Sequence, residues 1–259
     1  MARGESTNKR AVWTQNYDVN TIVLNHRKRL GLVGLLSLLQ DTAWVHARHL
    51  GHGFDAMIER GTIWVLTRQK LAMSAWPGWG DSIAIRTWLR PIAGALAYRD
   101  YEIVSGGRIV GECTACWLTL DAETRRPLRL NLTDTGVACR SDGGLAIEPG
   151  KIAPRQGMDE AARFEVRNSD LDVNGHVNNT RYAQWILDSV PLETHATYRL
   201  QTYEVNFLAE TQVGDTIVID KSQLDPAADS LKQWQFQGRR AADDKVAFAA
   251  RLGVEAAES

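Results

Sequence analysis

Residues 213–222 read VGDTIVIDKS, and residues 79–88 read WGDSIAIRTW. Each is a Gly-Asp turn followed by alternating β-branched and polar residues, the pattern of a strand leaving a tight turn. Gly80 and Gly214 lie 134 positions apart (214 − 80), about half of the 259-residue chain. A strand-like run precedes each turn, RQKLAMSAW from Arg68 and TYEVNFLAE from Thr202. Further strand signal follows each: ALAYRDYEIV and RIVGECTACWLTL in the first half, LKQWQFQG and KVAFAARLGVEA in the second. Upstream of the first run in each half stands one strong helix. GLVGLLSLLQDTAWVHARHLG, from Gly31, sets Leu32, Leu35, Leu36, Leu39 and Ala43 on one face. Its counterpart is TRYAQWILDSV from Thr180, with Tyr182, Trp185, Ile186 and Ser189 at spacings of three and four.

Both halves thus read strand, helix, then several antiparallel strands. A single helix beside a meander can bury its apolar stripe only against the sheet. The expected fold class is α+β, with two units in one chain at residues 10–133 and 163–255. Residues 134–162 form the expected linker, since the stretch from Asp134 to Gly157 is rich in Gly, Pro and Ser.

A hydrophobic fraction of 44% supports full cores and argues against disorder. Lys and Arg total 30 against 31 Asp and Glu, so no global field favours nucleic acid or an anionic membrane. Cys113, Cys116 and Cys139 are too few and odd in number for a disulfide scaffold, which fits a reducing compartment, by default the cytoplasm. The opening MARGESTNKRAVW lacks an apolar segment, and no stretch reaches the roughly 20 apolar residues of a membrane span.

The densest polar stretch is NSDLDVNGHVNNTRYAQWILDSVP, from Asn168 to Pro191. Asp172, Asn174 and His176 alternate with Leu171, Val173 and Val177, so an extended arm would put all three polar groups on one side. Asn178 or Asn179 suits the N-cap of the following helix, whose free N–H groups could polarise a carbonyl or hold an oxyanion. The same residues could also form an Asx-rich cap and nothing more, with His176 a structural histidine.

The run SDLDVNGHVNNTRYAQWILDSVP resembles the signature of acyl-acyl-carrier-protein thioesterases of the plant and bacterial fatty-acid type, roughly S-D-x-D-x-N-x-H-V-N-N-x-x-Y-x-x-W-x-L-E-S, with Asp188 where Glu is usual. The resemblance extends from about Trp13 to Val254, and it implies two tandem hotdog units, each a long helix wrapped by an antiparallel sheet. The implied catalytic set is Asp172, Asn174, His176 and, on the next strand, Glu210 in VNFLAETQVGD. Asn178 and Asn179 would meet the substrate at the helix start. Many relatives place a Cys after that Glu, but here the residue is Thr211, which removes a cysteine nucleophile at that position. Matching Gly80 to Gly214 puts Trp76 opposite Glu210, and no D-x-N-x-H arm precedes the first helix, so the second unit is expected to be catalytic and the first to bind the acyl chain.

The implied reaction is hydrolysis of fatty acyl-acyl carrier protein, with Glu210 and Asn174 holding a water and His176 or Glu210 as general base. Asp172 would orient its neighbours or attack through its own carboxylate. No metal or other cofactor is required. Trp44, Leu36 and Leu39 are candidate tunnel residues as well as candidate core. An acyl-CoA thioesterase, a non-catalytic acyl-binding protein and a dehydratase remain alternatives on the same fold, although a dehydratase needs an acid that the first unit does not obviously supply. A monomer and a homodimer both fit.

Three further clusters carry expectations. His46, His49 and His52 recur every three residues without a Cys or carboxylate, which suggests a solvated helix end. Cys113 and Cys116, three apart on a strand, face opposite sides and read as structural. Arg27, Lys28 and Arg29, and separately Arg125, Arg126 and Arg129, read as solvated turns. An acidic carrier protein would have to dock on one of these two clusters.

Overall fold

In the computed structural model, which describes residues 11–91, 95–129, 137–224 and 232–256, the apolar stripe of the first half becomes helix α1 (Leu32–His49). Leu32, Leu35, Leu36, Leu39 and Ala43 are all buried. The chain divides into two units. The first takes in the described residues up to Thr67 together with Met73–Glu148; the second holds Arg68–Ala72 and the described residues from Pro149 onward.

The first unit contains β1 (Val12–Asp18), α1, the short α2 (Phe54–Glu59), β2 (Thr62–Met73), β3 (Ser82–Leu89), β4 (Leu96–Ser105) and β5 (Arg108–Asp121). Its strands run in the order β1-β3-β4-β5-β2. The second unit contains β6 (Asp159–Glu165), a 3-10 turn at Asn168–Asp170, α3 (Asn179–Asp188), α4 (Leu192–Thr197), β7 (Tyr198–Phe207), β8 (Thr216–Leu224), β9 (Lys232–Arg240) and β10 (Val246–Ala256). Its strand order is β6-β8-β9-β10-β7, the same path as the first unit. The Arg68–Ala72 stretch of β2 pairs antiparallel with β7 and is counted with the second unit. Each unit is a hotdog, a helix on an antiparallel sheet.

Hydrogen bonds at the Gly-Asp turns show the duplication directly. In the first unit Val19 N–H donates to Asp81 O at 2.8 Å and Gly80 N–H to Val19 O at 3.0 Å. In the second, Val166 N–H donates to Asp215 O at 2.9 Å and Gly214 N–H to Val166 O at 3.0 Å. Gly80 and Gly214 sit at φ +87 and +88, the left-handed region that glycine enters without a Cβ penalty.

Packing differs between the units. In the first unit α1 packs over β3 and β1 with aliphatic side chains, and the sheet buries Ile83, Ile85 and Ile103. In the second, Tyr182 of α3 meets Trp185, Phe207 and Phe248 edge to face at centroid distances of 5.2, 5.3 and 5.2 Å. Gly238 makes room for that cluster, because a Cβ there would lie 2.1 Å from Phe248 Cε1.

The stretch expected as a linker is held by side chains of the sheets. In the first unit Arg90 donates to Leu145 O at 2.8 Å, and the buried Asp100 carboxylate accepts from Arg90 at 2.7 Å and from Leu145 N–H at 3.1 Å. In the second, Asn206 Oδ1 accepts from Ile152 N–H at 2.9 Å and Gln235 donates to Ala153 O at 2.8 Å. Strand β6 begins at Asp159, inside that stretch, and residues 134–136 lie outside the described ones.

The histidine run departs from the sequence reading. His46 is buried, not solvated: its Nδ1 meets Arg99 Nη1 at 2.9 Å, and its ring stacks near Trp13. His49 stacks on Trp13 at 4.1 Å, and His52 Nδ1 meets Arg60 at 3.0 Å. His46 and His49 share Trp13 on one helix face, whereas His52 lies past the helix end and turns to Arg60. Among the described residues no group of three or more His, Cys, Asp or Glu side chains could hold a metal ion. Among them, too, no helix is long and apolar enough to cross a membrane.

Candidate active site

The Asp172 to His176 segment is a tight hairpin, not the extended arm considered from its alternation. Leu171 bridges Val177, Asp172 N–H donates to His176 O at 2.7 Å, and Gly175 N–H donates to Asp172 O at 3.0 Å. Gly175 takes φ +73, which closes the turn. The Asp172 carboxylate folds inward: Oδ1 accepts from Asn174 N–H at 2.8 Å and from His176 N–H at 3.3 Å. Aspartate favours such local bonds over a ladder, which explains why a period of two in the sequence did not produce a strand.

The hairpin feeds directly into α3. Asn178 is its N-cap, with Oδ1 accepting from Thr180 N–H at 3.0 Å and from the Thr180 hydroxyl at 2.9 Å. Asn179 is the first helical residue. Arg181 ties the helix back to the preceding turn by donating to Ser169 O at 2.8 Å.

Glu210 lies beyond the end of β7, in the connection to β8, and not on a strand as the resemblance implied. The Leu208 and Ala209 N–H groups both donate to Ala247 O, at 2.8 and 3.0 Å, and Arg240 Nη1 reaches Glu210 O at 3.4 Å. This anchoring brings Glu210 Oε1 to 3.7 Å from His176 Nδ1, with the two side chains 57% and 36% exposed. The separation is too long for a direct hydrogen bond. An imidazole and a carboxylate thus share one solvent-facing spot beside a capped helix start.

Thr211, where relatives were expected to carry Cys, is buried, and its hydroxyl is 2.8 Å from the Tyr182 hydroxyl. Burial pushes the Tyr182 phenol up to about 12, opposed by the Thr211 bond. This pair is a piece of core beneath Glu210, and the sequence reading did not foresee it. Its signal was the Tyr182 position on the buried stripe, which requires a partner for the hydroxyl. The three proposed tunnel residues are not alike. Leu36 and Leu39 are buried, whereas Trp44 is 43% exposed and tilts against Phe54. Trp44 lies five residues after Leu39, well round the helix from the buried stripe.

The first unit has no D-x-N-x-H arm, yet it contains a hairpin with the same bonding plan, which the sequence reading did not foresee. Leu24 bridges Leu30, Asn25 N–H donates to Arg29 O at 2.8 Å, and Lys28 N–H donates to Asn25 O at 3.1 Å. Asn25 Oδ1 accepts from Arg27 N–H at 2.9 Å and from Arg29 N–H at 3.2 Å. Every bond repeats the second unit at an offset of 147 (172 − 25), so Asn25, Arg27 and Arg29 stand where Asp172, Asn174 and His176 stand. Even the His176–Glu210 pairing has an echo, since Arg29 Nη1 donates at 3.0 Å to the carbonyl of Trp76. The Gly-Asp offset of 134 hid this match, because the longer helical run of the first unit inserts residues between the hairpin and the turn.

Comparison with known proteins agrees in two separate parts of the chain. The profile of the acyl-ACP thioesterase N-terminal domain matches residues 10–133, and that of the C-terminal domain matches residues 154–248. The chain belongs to the acyl-ACP thioesterase family. Among curated members, a palmitoyl-acyl carrier protein thioesterase, chloroplastic, of Gossypium hirsutum is 29% identical over 217 residues, covering 77% of this chain and 52% of its own. The oleoyl-acyl carrier protein thioesterase 1, chloroplastic, of Arabidopsis thaliana is 26% identical, covering 83% of this chain and 64% of its own. The chain thus spans between about half and two thirds of these relatives. An acyl-ACP thioesterase from Bacteroides thetaiotaomicron shares the fold, with a TM-score of 0.85 at 21% identity, covering 96% of this chain and 99% of that one. The family's two-domain plan therefore coincides with the duplicated hotdog of this acyl-ACP thioesterase family member.

Proposed function

We propose that the chain hydrolyses the thioester of a fatty acyl group on acyl carrier protein, releasing the free acid and the carrier thiol. The observation that carries this reading is the convergence of His176 and Glu210 on one spot. A helix cap needs neither side chain, whereas water attack on a thioester needs a base and a polar group to hold the water. Membership of the family supports the substrate class.

In the proposed reaction Glu210 and Asn174 hold the attacking water and His176 or Glu210 takes its proton. The Thr180 and Arg181 N–H groups are spent on Asn178, so the oxyanion is assigned to the Asn179 N–H, favoured by the positive end of the α3 dipole. Asp172 is assigned a positioning role in place of nucleophilic attack, because its Oδ1 is already engaged by two N–H groups of the hairpin. A thiolate leaves readily, so no strong general acid is needed. The second unit is read as catalytic and the first as the acyl-binding unit, with Leu36 and Leu39 toward the chain. Three free thiols support work in a reducing compartment such as the cytoplasm.

Separate alanine substitutions at His176 and Glu210 test the assignment. Each should lower kcat by about 10²–10⁴-fold, with circular dichroism and melting temperature close to the parent. Parental turnover in both variants would remove these residues from the chemistry.

A further inference from the structure

The counterpart hairpin of the first unit has kept its hydrogen bonds and changed its chemistry. Where the second unit reads Asp172-Val-Asn-Gly-His176, the first reads Asn25-His-Arg-Lys-Arg29. The carboxylate is gone, and three obligate or near-obligate cations occupy a turn of five residues. Arg27 and Lys28 point outward on an exposed surface, while Arg29 anchors the turn to the Trp76 carbonyl. Lys28 holds φ +56 where the second unit uses Gly175, so a long cationic side chain sits at a backbone position that disfavours any side chain.

Two large apolar side chains frame these charges. Ile22, in the turn leading into the hairpin, is 88% exposed, and Trp79 is 59% exposed. The main chain of Trp79 is tied to this turn, because its backbone N–H donates to Lys28 O at 3.0 Å. A preorganised turn that shows cations flanked by apolar side chains fits an acidic protein surface.

We propose that this turn is the docking surface for the acidic carrier protein, with Arg27 and Lys28 meeting its carboxylates and Ile22 and Trp79 its apolar side chains. The inference rests on the reading of the chain as a carrier-protein thioesterase. It selects this turn over the Arg125, Arg126 and Arg129 turn. Docking of this kind acts on encounter and affinity, so it moves KM and leaves kcat in place.

The test reverses charge in the full chain, as Arg27→Glu with Lys28→Glu, beside a matched Arg125→Glu with Arg126→Glu control. Turnover is measured on an acyl-carrier protein and on an acyl-pantetheine thioester, which has no carrier, at low and high salt. The first double variant should raise KM for the carrier substrate by about tenfold or more and lose its salt dependence, with kcat held within about twofold. The control pair should leave KM near the parent, and neither variant should affect acyl-pantetheine. An unchanged carrier KM in the first variant, or a rise only in the control, overturns the proposal. If the parent cleaves no thioester, the functional reading falls, and surface-plasmon binding of the holo-carrier still decides this one. Binding by the parent that the first variant loses supports it; binding that persists in the variant, or none by the parent, overturns it.

Discussion

Asp172 illustrates how a residue can be singled out by sequence and still be misread in its geometry. Its spacing from Asn174 and His176 marked a shared site, but the carboxylate turns back onto the N–H groups of those same residues. What sequence could not supply was the competition between a strand ladder and a local Asx bond, which Gly175 decides by accepting a positive φ. His46 shows the opposite failure: a histidine on a helix end, expected in solvent, is buried against Arg99 because a strand passes beneath it. The identity of Thr211 removes a cysteine nucleophile at that position, but its partner, the Tyr182 hydroxyl, emerged only from the fold. Replacing it by valine strands the buried Tyr182 hydroxyl, so Thr211→Val should cost about 1–3 kcal/mol in denaturant unfolding. Turnover should survive, because the pair lies beneath the site and not in it. Loss of activity without loss of stability would place Thr211 in the chemistry after all.

At the scale of elements, α3 is short and owes its start to Asn178. Its ten residues are too few to be stable as an isolated helix, so cap and packing must supply what propensity does not. Asn178→Ala should lower stability by about 1 kcal/mol, and because the cap positions Asn179 it should also lower kcat. An unchanged melting curve would show that the cap bond is not formed. Strand β9 is legible as a strand from its alternation, but the need for glycine at 238 is not, since it arises from Phe248 on the adjacent strand. Gly238→Ala should therefore destabilise by about 1–3 kcal/mol, read as a lower melting temperature. Tolerance of alanine would mean that the Tyr182 cluster can shift. The helices α2 and α4 went unread because six-residue segments carry too little periodicity to stand out.

Across the whole molecule, duplication is the most informative feature, and it was readable from two Gly-Asp turns. Element order followed from it, since a helix with one apolar stripe needs a sheet to cover it, whereas the strand path emerged only from the fold. The depth of the duplication was hidden, because the offset between copies changes from 147 at the hairpins to 134 at the turns. Once the hairpins are matched, the two copies differ in chemistry: one carries a carboxylate and an imidazole, and the other is basic. Net charge near zero conceals that asymmetry, as local patches cancel in the total of 30 against 31. The central claim is thioester hydrolysis at His176 with a carrier-bound substrate. It is tested most directly by thiol release from acyl-carrier protein and acyl-CoA of matched chain length, with His176→Ala alongside. The account predicts turnover that favours the carrier substrate and falls to background in the variant. Cleavage of neither substrate, or parental rates in His176→Ala, would contradict it.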